Sequence, residues 1–321
     1  MTDLSVIARK LKCEKQVALF CHIRPDGDTL GSALALKLSL QSLGVRVEVV
    51  CEDAVPVRFS FLKEFSTVLQ VPSMRLDEYS ALVAIDCADV TRLGNFAVDF
   101  LKHKNSFNID HHISNNRYAV YNYIATNASN CENIYSLIVE MGVKLNADIA
   151  NLLATGLVTD TGNFRHNSVT PFTFETAAIL KKLGADFNSI IYNNFNKQSK
   201  NRAKLFGLVM SKLRYFENDR FAVATVMQED LEKAQATSDE TEGFIDFVMG
   251  IDCVEVGACV MEIAKNKFKI SLRSKSADVN SVAVSFGGGG HVLASGCQIS
   301  GDYEDVVDRL RFAVSRELPE L

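Results

Sequence analysis

The stretch His22-Ile23-Arg24-Pro25-Asp26-Gly27-Asp28 decides how the rest of the chain is read. Before it runs Val17-Ala18-Leu19-Phe20-Cys21, a short apolar segment of the kind that forms a buried strand. After it, Thr29 to Leu43 has helical character and stops at Gly44. Pro25 and Gly27 supply a tight turn between the two. One imidazole and two carboxylates are thereby crowded into a loop at the end of a strand. Packed together with nothing between them, they would repel one another and lose solvation. A divalent cation removes that penalty. The plain alternative is a solvated Asp-Gly-Asp turn with an incidental histidine, and the motif alone leaves both open.

The same arrangement recurs further along. Val45 to Cys51 predicts a second strand, and Arg58 to Val68 a short helix and turn. Ala81 to Ile85 is a third strand, followed directly by Asp86. Ser106 to Ile109 is a shorter fourth, followed by Asp110-His111-His112. Helices are expected from Glu132 to Met141, from Ala147 (capped by Asn146) to about Val158, and from Thr173 to Leu183. Strands alternating with helices predict an α/β fold: a parallel sheet with helices on both faces. Ligands of such sheets gather at the carboxyl ends of the strands. His22, Asp26, Asp28, Asp86, Asp110, His111 and His112 all lie just past predicted strand ends, and Asp160, in Thr159-Asp160-Thr161-Gly162, adds a fourth segment. Mixed imidazole and carboxylate donors suit manganese, iron or zinc better than an all-oxygen magnesium cage. Two ions about 3.5–4 Å apart need a bridging carboxylate. Asp86, alone at its strand end, is the expected bridge. Taken singly, Asp86 or Asp160 can be a turn residue and the triplet a polar loop. Four such coincidences explain the chain less well than one metal centre.

The second half changes character. Phe187 to Leu205 is Asn- and Lys-rich and reads as a helical connector between a domain at 1–186 and a smaller α+β domain at 206–321. In the latter, Val209–Tyr215 and Phe221–Val226 predict paired strands, and Glu242–Met249 a helix. Val254–Ile263 and Phe268–Arg273 predict a hairpin around Lys265-Asn266. Asp302–Glu317 predicts a closing helix with Val306, Leu310 and Ala313 on one face. Gly287 to Gly290, followed by His291, would let backbone N–H groups converge on an anion. It has neither a Walker continuation nor dinucleotide-binding spacing, and the plain alternative is a flexible tether.

Composition narrows the classes. A length of 321 residues suggests two domains, and 47% hydrophobic content allows sizeable cores. No run approaches 18 apolar residues and the first 15 lack a signal-peptide core, so a cytoplasmic protein with no membrane contact is expected. The eight cysteines form no Cys-x-x-Cys pair and read as free thiols. A net charge of −5 argues against coating long nucleic acid, duplex included, but not against a small phosphorylated ligand.

In their order and flanking text, these motifs closely resemble the DHH phosphoesterase family, named for the Asp110-His111-His112 triplet. Asp86-Cys87-Ala88-Asp89-Val90-Thr91-Arg92-Leu93-Gly94 and Thr159 to Arg165 match as well. The resemblance implies that His22 and Asp26 hold one manganese ion and that Asp28, His111 and Asp160 hold the other. Asp86 would bridge them, with magnesium as a substitute metal. It further implies that Asp110 orients His111 and that His112 faces the phosphate, so Asp86, Asp110 and His112 carry the chemistry. Asp89 is left as a surface or supporting residue. The segment Ala128 to Glu132 departs from relatives, which often carry Ser or Thr near Asn130, and as it borders the site the departure bears on substrate preference and not on metal binding.

Ser271-Leu272-Arg273-Ser274 and His291 to Cys297 resemble the DHHA1 domain that partners many DHH domains. That likeness implies that Arg273, Gly288, Gly289, Gly290 and His291 grip the far end of the substrate, in a cleft between the domains. His103, His166, Tyr118, Tyr121 and Tyr123 keep structural readings. Within the family the chain resembles nano-RNases, and this implies degradation of RNAs of a few nucleotides and often dephosphorylation of 3′-phosphoadenosine 5′-phosphate (pAp), by attack of a hydroxide shared between two metals on phosphorus. The alternative in the same architecture is a cyclic-di-AMP or pApA phosphodiesterase. RecJ-like exonucleases, with an added OB-fold domain, fit less well. From another class, the alternative is a non-catalytic nucleotide-binding module. A homodimer is the commonest assembly for such an enzyme.

Overall fold

A computed structural model describes residues 2–318; residues 1 and 319–321, the outer limits of the two expected domains, lie outside the described residues. The chain divides into two compact units, Met1–Lys197 and Gln198–Leu321. The division falls inside the stretch 187–205.

The first unit is built on six parallel strands: β1 (Gln16–Phe20), β2 (Arg46–Cys51), β3 (Val68–Gln70), β4 (Ala81–Ile85), β5 (Ser106–Asp110) and β6 (Tyr121–Ile124). They are ordered β3-β2-β1-β4-β5-β6. Successive strands are added outward on one side from β1 to β3 and on the other from β4 to β6, so the order reverses between β1 and β4, which pair in parallel from Val17↔Ala81 to Phe20↔Ala84. A crevice opens beyond the carboxyl ends of strands at such a switch point. β1 and β4 are continuous apolar runs because helices or loops cover both faces. Helices α1 (Leu4–Lys12), α2 (Gly27–Ser42), α3 (Ala97–Lys102), α4 (Asn130–Glu140), α5 (Ala147–Asp160), α6 (Pro171–Lys182) and α7 (Phe187–Ile191) complete the unit. α7 continues as one wider turn, Tyr192–Asn196.

α2 is buried over most of its surface, and glycines let α5 pack close against it. A Cβ on Gly31 would sit 2.4 Å from the Leu152 carbonyl oxygen, and one on Gly156 2.5 Å from Asp28 Oδ1. Neither position has room for a larger residue.

The second unit holds a mixed sheet ordered β11-β12-β10-β9-β8-β7. Its strands are β7 (Arg214–Phe216), β8 (Phe221–Val226), β9 (Val256–Ala264), β10 (Lys267–Ser274), β11 (Gly289–His291) and β12 (Ala294–Ser300). α8 (Lys200–Met210), α9 (Gln228–Ala234) and α10 (Phe244–Met249) pack on one face through Leu205, Val209, Phe244 and Val248. α11 (Val279–Ser285) and α12 (Tyr303–Ser315) pack on the other.

Several expectations change. The strand expected at Val209–Tyr215 is the end of α8 followed by the three-residue β7. Val209 lies one turn after Leu205 on the face of α8 that fills the core, so the apolar pattern there has a helical period. The stretch 187–205 is two helices, the second packed into the second unit. α12 buries Val306, Val307, Leu310 and Val314, with Ala313 at its margin. The glycine run ends in β11. Just before it, a Cβ on Gly288 would lie 2.2 Å from the Gly296 oxygen, and within it Gly290 has φ +153°. These two glycines let the chain press against β12, while a Cβ on Gly289 would meet only Asn280 Oδ1, at an ordinary 3.9 Å. All eight cysteines are free, with Cys13 and Cys253 exposed and the rest buried.

Candidate metal centre

Four loops and helix ends deliver the site. Asp26 caps α2: its Oδ1 accepts from the N–H groups of Asp28 and Thr29, both at 3.0 Å. Its Oδ2 is left to face His22 Nε2 at 3.5 Å. Asp28 therefore stands in the first turn of α2 and not in the loop. Asp86 takes φ +56° as the chain leaves β4, a left-handed turn that Asp tolerates better than most residues. Its N–H is tied to the Ile109 carbonyl at 3.0 Å, so the turn is anchored to β5. Asp110 closes β5, and Asp160 ends α5.

The side chains form three overlapping groups whose donors lie within 4.8 Å of one another: His22, Asp26 and Asp86; Asp86, Asp110, His111 and His112; and Asp28, His111 and Asp160. Asp86 belongs to the first two, and His111 joins it to the third. Asp86 divides its oxygens: Oδ2 lies 3.6 Å from His22 Nε2, and Oδ1 3.3 Å from His111 Nε2. His111 Nε2 is also 3.5 Å from Asp160 and 4.0 Å from Asp28. His22 Nε2 and Asp86 Oδ1 are buried without a hydrogen-bond partner among the described residues. Buried polar atoms of this kind are rare, and a cation satisfies both. Imidazole and carboxylate donors in this ratio fit divalent transition metals.

Electrostatics point the same way. Burial opposes charge on His22, but the carboxylates of Asp26 and Asp86 outweigh it and raise its pKa to about 10. Burial is likewise outweighed at His111 by Asp86, Asp28 and Asp160, to about 11. Burial, with Asp86 and Asp26, pushes Asp160 up to about 6 although His111 opposes it. At Asp86 burial is overcome by His111 and His22, which hold the carboxyl below its usual range. Burial and the nearby carboxylates of Asp86 and Asp160 raise Asp28. The cluster gathers positive charge, as protons or as metal ions, and metal binding releases the protons.

Asp28 has its own cradle at the start of α4. Ser129 Oγ donates to it at 2.9 Å, Cys131 N at 3.0 Å and Asn130 N at 2.6 Å. The N-terminal end of a helix favours a carboxylate there. Asn130, expected to bear on substrate preference, is fully buried, with its amide toward Ser32 and Asn133. It supports Asp28 and presents no surface to a substrate.

The triplet is wired differently from the expectation. Asp110 Oδ1 lies 2.7 Å from His112 Nδ1, so it orients His112 and not His111. His111 is oriented by the Asn127 carbonyl, 3.0 Å from its Nδ1, which leaves Nε2 a lone pair toward the carboxylates. Sequence reading had no signal for Asn127, which only the fold brings near. It also passed over Arg92, whose Nη2 approaches His22 Nδ1 to 2.9 Å and competes there with the Ile23 carbonyl at 2.8 Å. Asp89 caps the turn after β4 through Thr91, at the surface. His103 bonds the Tyr79 carbonyl, His166 the Asp160 carbonyl, and Tyr118 the Cys87 carbonyl. Tyr121 stacks on Phe107, while Tyr123 packs half-buried against the core.

In the second unit, Arg273 and His291 occupy one cross-strand row, each paired with Ala294. Residues so paired share a face, about 10 Å apart across two strand spacings. Arg273 also lines a cavity of about 430 Å³ together with Lys269, Ser271, Cys259, Met261 and Ile245.

Residues 16–157 match the DHH family, N-terminal domain, and residues 218–319 the DHHA1 domain. A Thermus thermophilus protein named bifunctional oligoribonuclease and PAP phosphatase NrnA is 30% identical over 319 residues, covering 98% of this chain and 94% of that one. The fold is also that of an exopolyphosphatase-related protein from Bacteroides fragilis, at TM-score 0.84 and 24% identity, covering 98% and 95% of the two chains. It is shared more loosely with an exonuclease RecJ bound to manganese, at TM-score 0.56 and 13% identity over 99% and 96%.

Proposed function

We propose, for a chain that belongs to the DHH family and carries a DHHA1 domain, that its substrates are RNAs of a few nucleotides and pAp. As a member of that family it is a hydrolase acting on phosphate esters. The observation that carries the reading is the division of Asp86 between two donor groups, each built of imidazole and carboxylate. His22 and Asp26 would hold one manganese ion, Asp28, His111 and Asp160 a second, and Asp86 both. Two such ions, when bound, supply Lewis-acid charge at the phosphate and acidify the attacking water. The chain's own part is positional. Asp26 and Asp28 are fixed by the ends of α2 and α4, and His112, about a third exposed, would present its imidazole to the reacting phosphate. Arg273, with a planar fork suited to phosphate, and His291 beside the glycine strand of Gly288, Gly289 and Gly290 would hold the part of the nucleotide remote from the cut.

The name and near-complete coverage of the Thermus relative support this substrate class over cyclic-di-AMP. The test is a comparison of kcat/KM with manganese for pAp, pApA, cyclic-di-AMP, a five-nucleotide RNA and a long single strand. The highest values are expected for pAp and the short RNA. A highest value for cyclic-di-AMP or for the long strand would refute the assignment.

A further inference from the structure

We propose that Asn115 is a positioning residue for His112, acting through Asp110. The inference rests on the reading above, in which His112 faces the phosphate. Asp110 is fully buried at the end of β5. Its carboxylate is clamped from two sides: Oδ1 meets His112 Nδ1 at 2.7 Å, and Oδ2 accepts from Asn115 Nδ2 at 2.6 Å. The direction of the Asn115 amide is set independently. Its Oδ1 accepts the Arg117 N–H at 2.7 Å, so Nδ2 is the end that faces Asp110. The same Nδ2 reaches Asn108 Oδ1 at 2.8 Å and the Cys87 carbonyl at 3.2 Å. Asn108, fully buried on β5, donates to that carbonyl as well, and so does the Tyr118 hydroxyl at 2.9 Å. The loop after the two histidines is thereby bolted to the ends of β4 and β5.

The consequence follows from what a buried carboxylate needs. With Oδ2 held by Asn115, Oδ1 has one direction left, and it takes the Nδ1–H of His112. The ring is then held through Nδ1, and Nε2 is the nitrogen left to meet a phosphate oxygen. Without Asn115, Oδ2 is left unpartnered in the interior, which is unfavourable, and the carboxylate rotates toward other donors. His112 then loses its orientation while the six metal-facing side chains keep theirs.

The experiment uses the full chain, with manganese and bis-p-nitrophenyl phosphate, a substrate with no nucleotide to grip. Asn115→Ala is expected to lower kcat roughly 10–100-fold, the usual range for a residue that orients a functional imidazole. KM and metal content should stay unchanged. Asn115→Asp, of equal size but without the donor, should fall at least as far. In a His112→Ala background, Asn115→Ala should change kcat by less than about twofold, because the two act as one unit. A structural role would instead persist in that background. An equal fall there, a loss of metal, or a wild-type rate for Asn115→Asp would overturn the proposal.

A second readout needs neither metal nor turnover. The hydrogen-bonded Nδ1–H proton of His112, assigned in the metal-free chain by its disappearance in His112→Ala, should be lost in both Asn115 variants. Its survival would also overturn the proposal. Because this signal is read without substrate, it tests Asn115 whether or not the nucleotide assignment stands.

Discussion

Gly156→Ala places one methyl group where three elements meet, and the structure sets the scale of the response. The new Cβ would lie 2.3 Å from Cys131 Sγ, 2.5 Å from Asp28 Oδ1 and 3.0 Å from Asp28 Cα. Ordinary contacts are about 3.5–4.0 Å, so α2 or α4 must retreat by roughly 1 Å. Alanine favours the helix by about 1 kcal/mol over glycine, but overpacking of a tight core outweighs that and leaves a net loss of about 1–3 kcal/mol. The retreat also moves Asp28 within its cradle at α4, so metal binding should weaken together with stability. Gly207→Ala is the matched control. Gly207 lies within α8 and a Cβ there meets nothing within 4 Å. That variant should be stabilised by about 0.5–1 kcal/mol with unchanged metal content. Denaturant unfolding of the two variants, with metal analysis of each, decides it. A Gly156→Ala chain as stable as wild type and fully loaded with metal would refute the close approach of α2 and α5 as the device that sets Asp28.

Further outcomes follow from the same geometry. His111→Ala should weaken binding of one metal, whereas His112→Ala should keep both and lose kcat; equal metal loss in the two would sink the division of roles. Arg273→Ala and His291→Ala should each reduce kcat/KM for pAp roughly 10–150-fold, the equivalent of one charge-assisted contact of about 1.5–3 kcal/mol. Both should hydrolyse bis-p-nitrophenyl phosphate at nearly the wild-type rate, and parallel loss on that ester would show that they serve the chemistry itself. Gly288→Ala should destabilise the second unit, since its Cβ would strike the Gly296 oxygen at 2.2 Å, whereas Gly289→Ala should be silent in stability. Urea unfolding separates the two.

The centre of the first unit was legible because β1 and β4 are apolar runs that stop abruptly at His22 and Asp86, and the shorter β5 stops at Asp-His-His. β1, β4 and β5 lie side by side, so residues far apart in sequence but alike in position relative to a strand end converge. The edges were not legible. β3 and β6 have three and four residues, too few for a period to register. β11 and β12 carry glycines where strand-forming side chains usually stand, and two of them, Gly290 and Gly296, serve close approach to the neighbouring strand. The wiring behind the metal-facing side chains was also hidden. Whether Asp110 turns to His111 or His112 depends on rotamers and on Asn115, and the tether of His111 is a backbone carbonyl, which any residue can supply. Asp28 reads as a loop residue and Asp160 as lying just past a helix end, because helix ends are the least legible boundaries. Both belong to helices that glycine packing brings together.

The most direct test of the shared-carboxylate centre is the number of manganese ions bound per chain, measured by equilibrium dialysis and metal analysis on wild type and on folded Asp86→Ala. Wild type should bind two, and Asp86→Ala should bind none tightly and lose nearly all hydrolysis, because each donor group is left short of its common ligand. Two ions retained by Asp86→Ala would contradict the bridge, and fewer than two in wild type at saturation would contradict the two-metal centre.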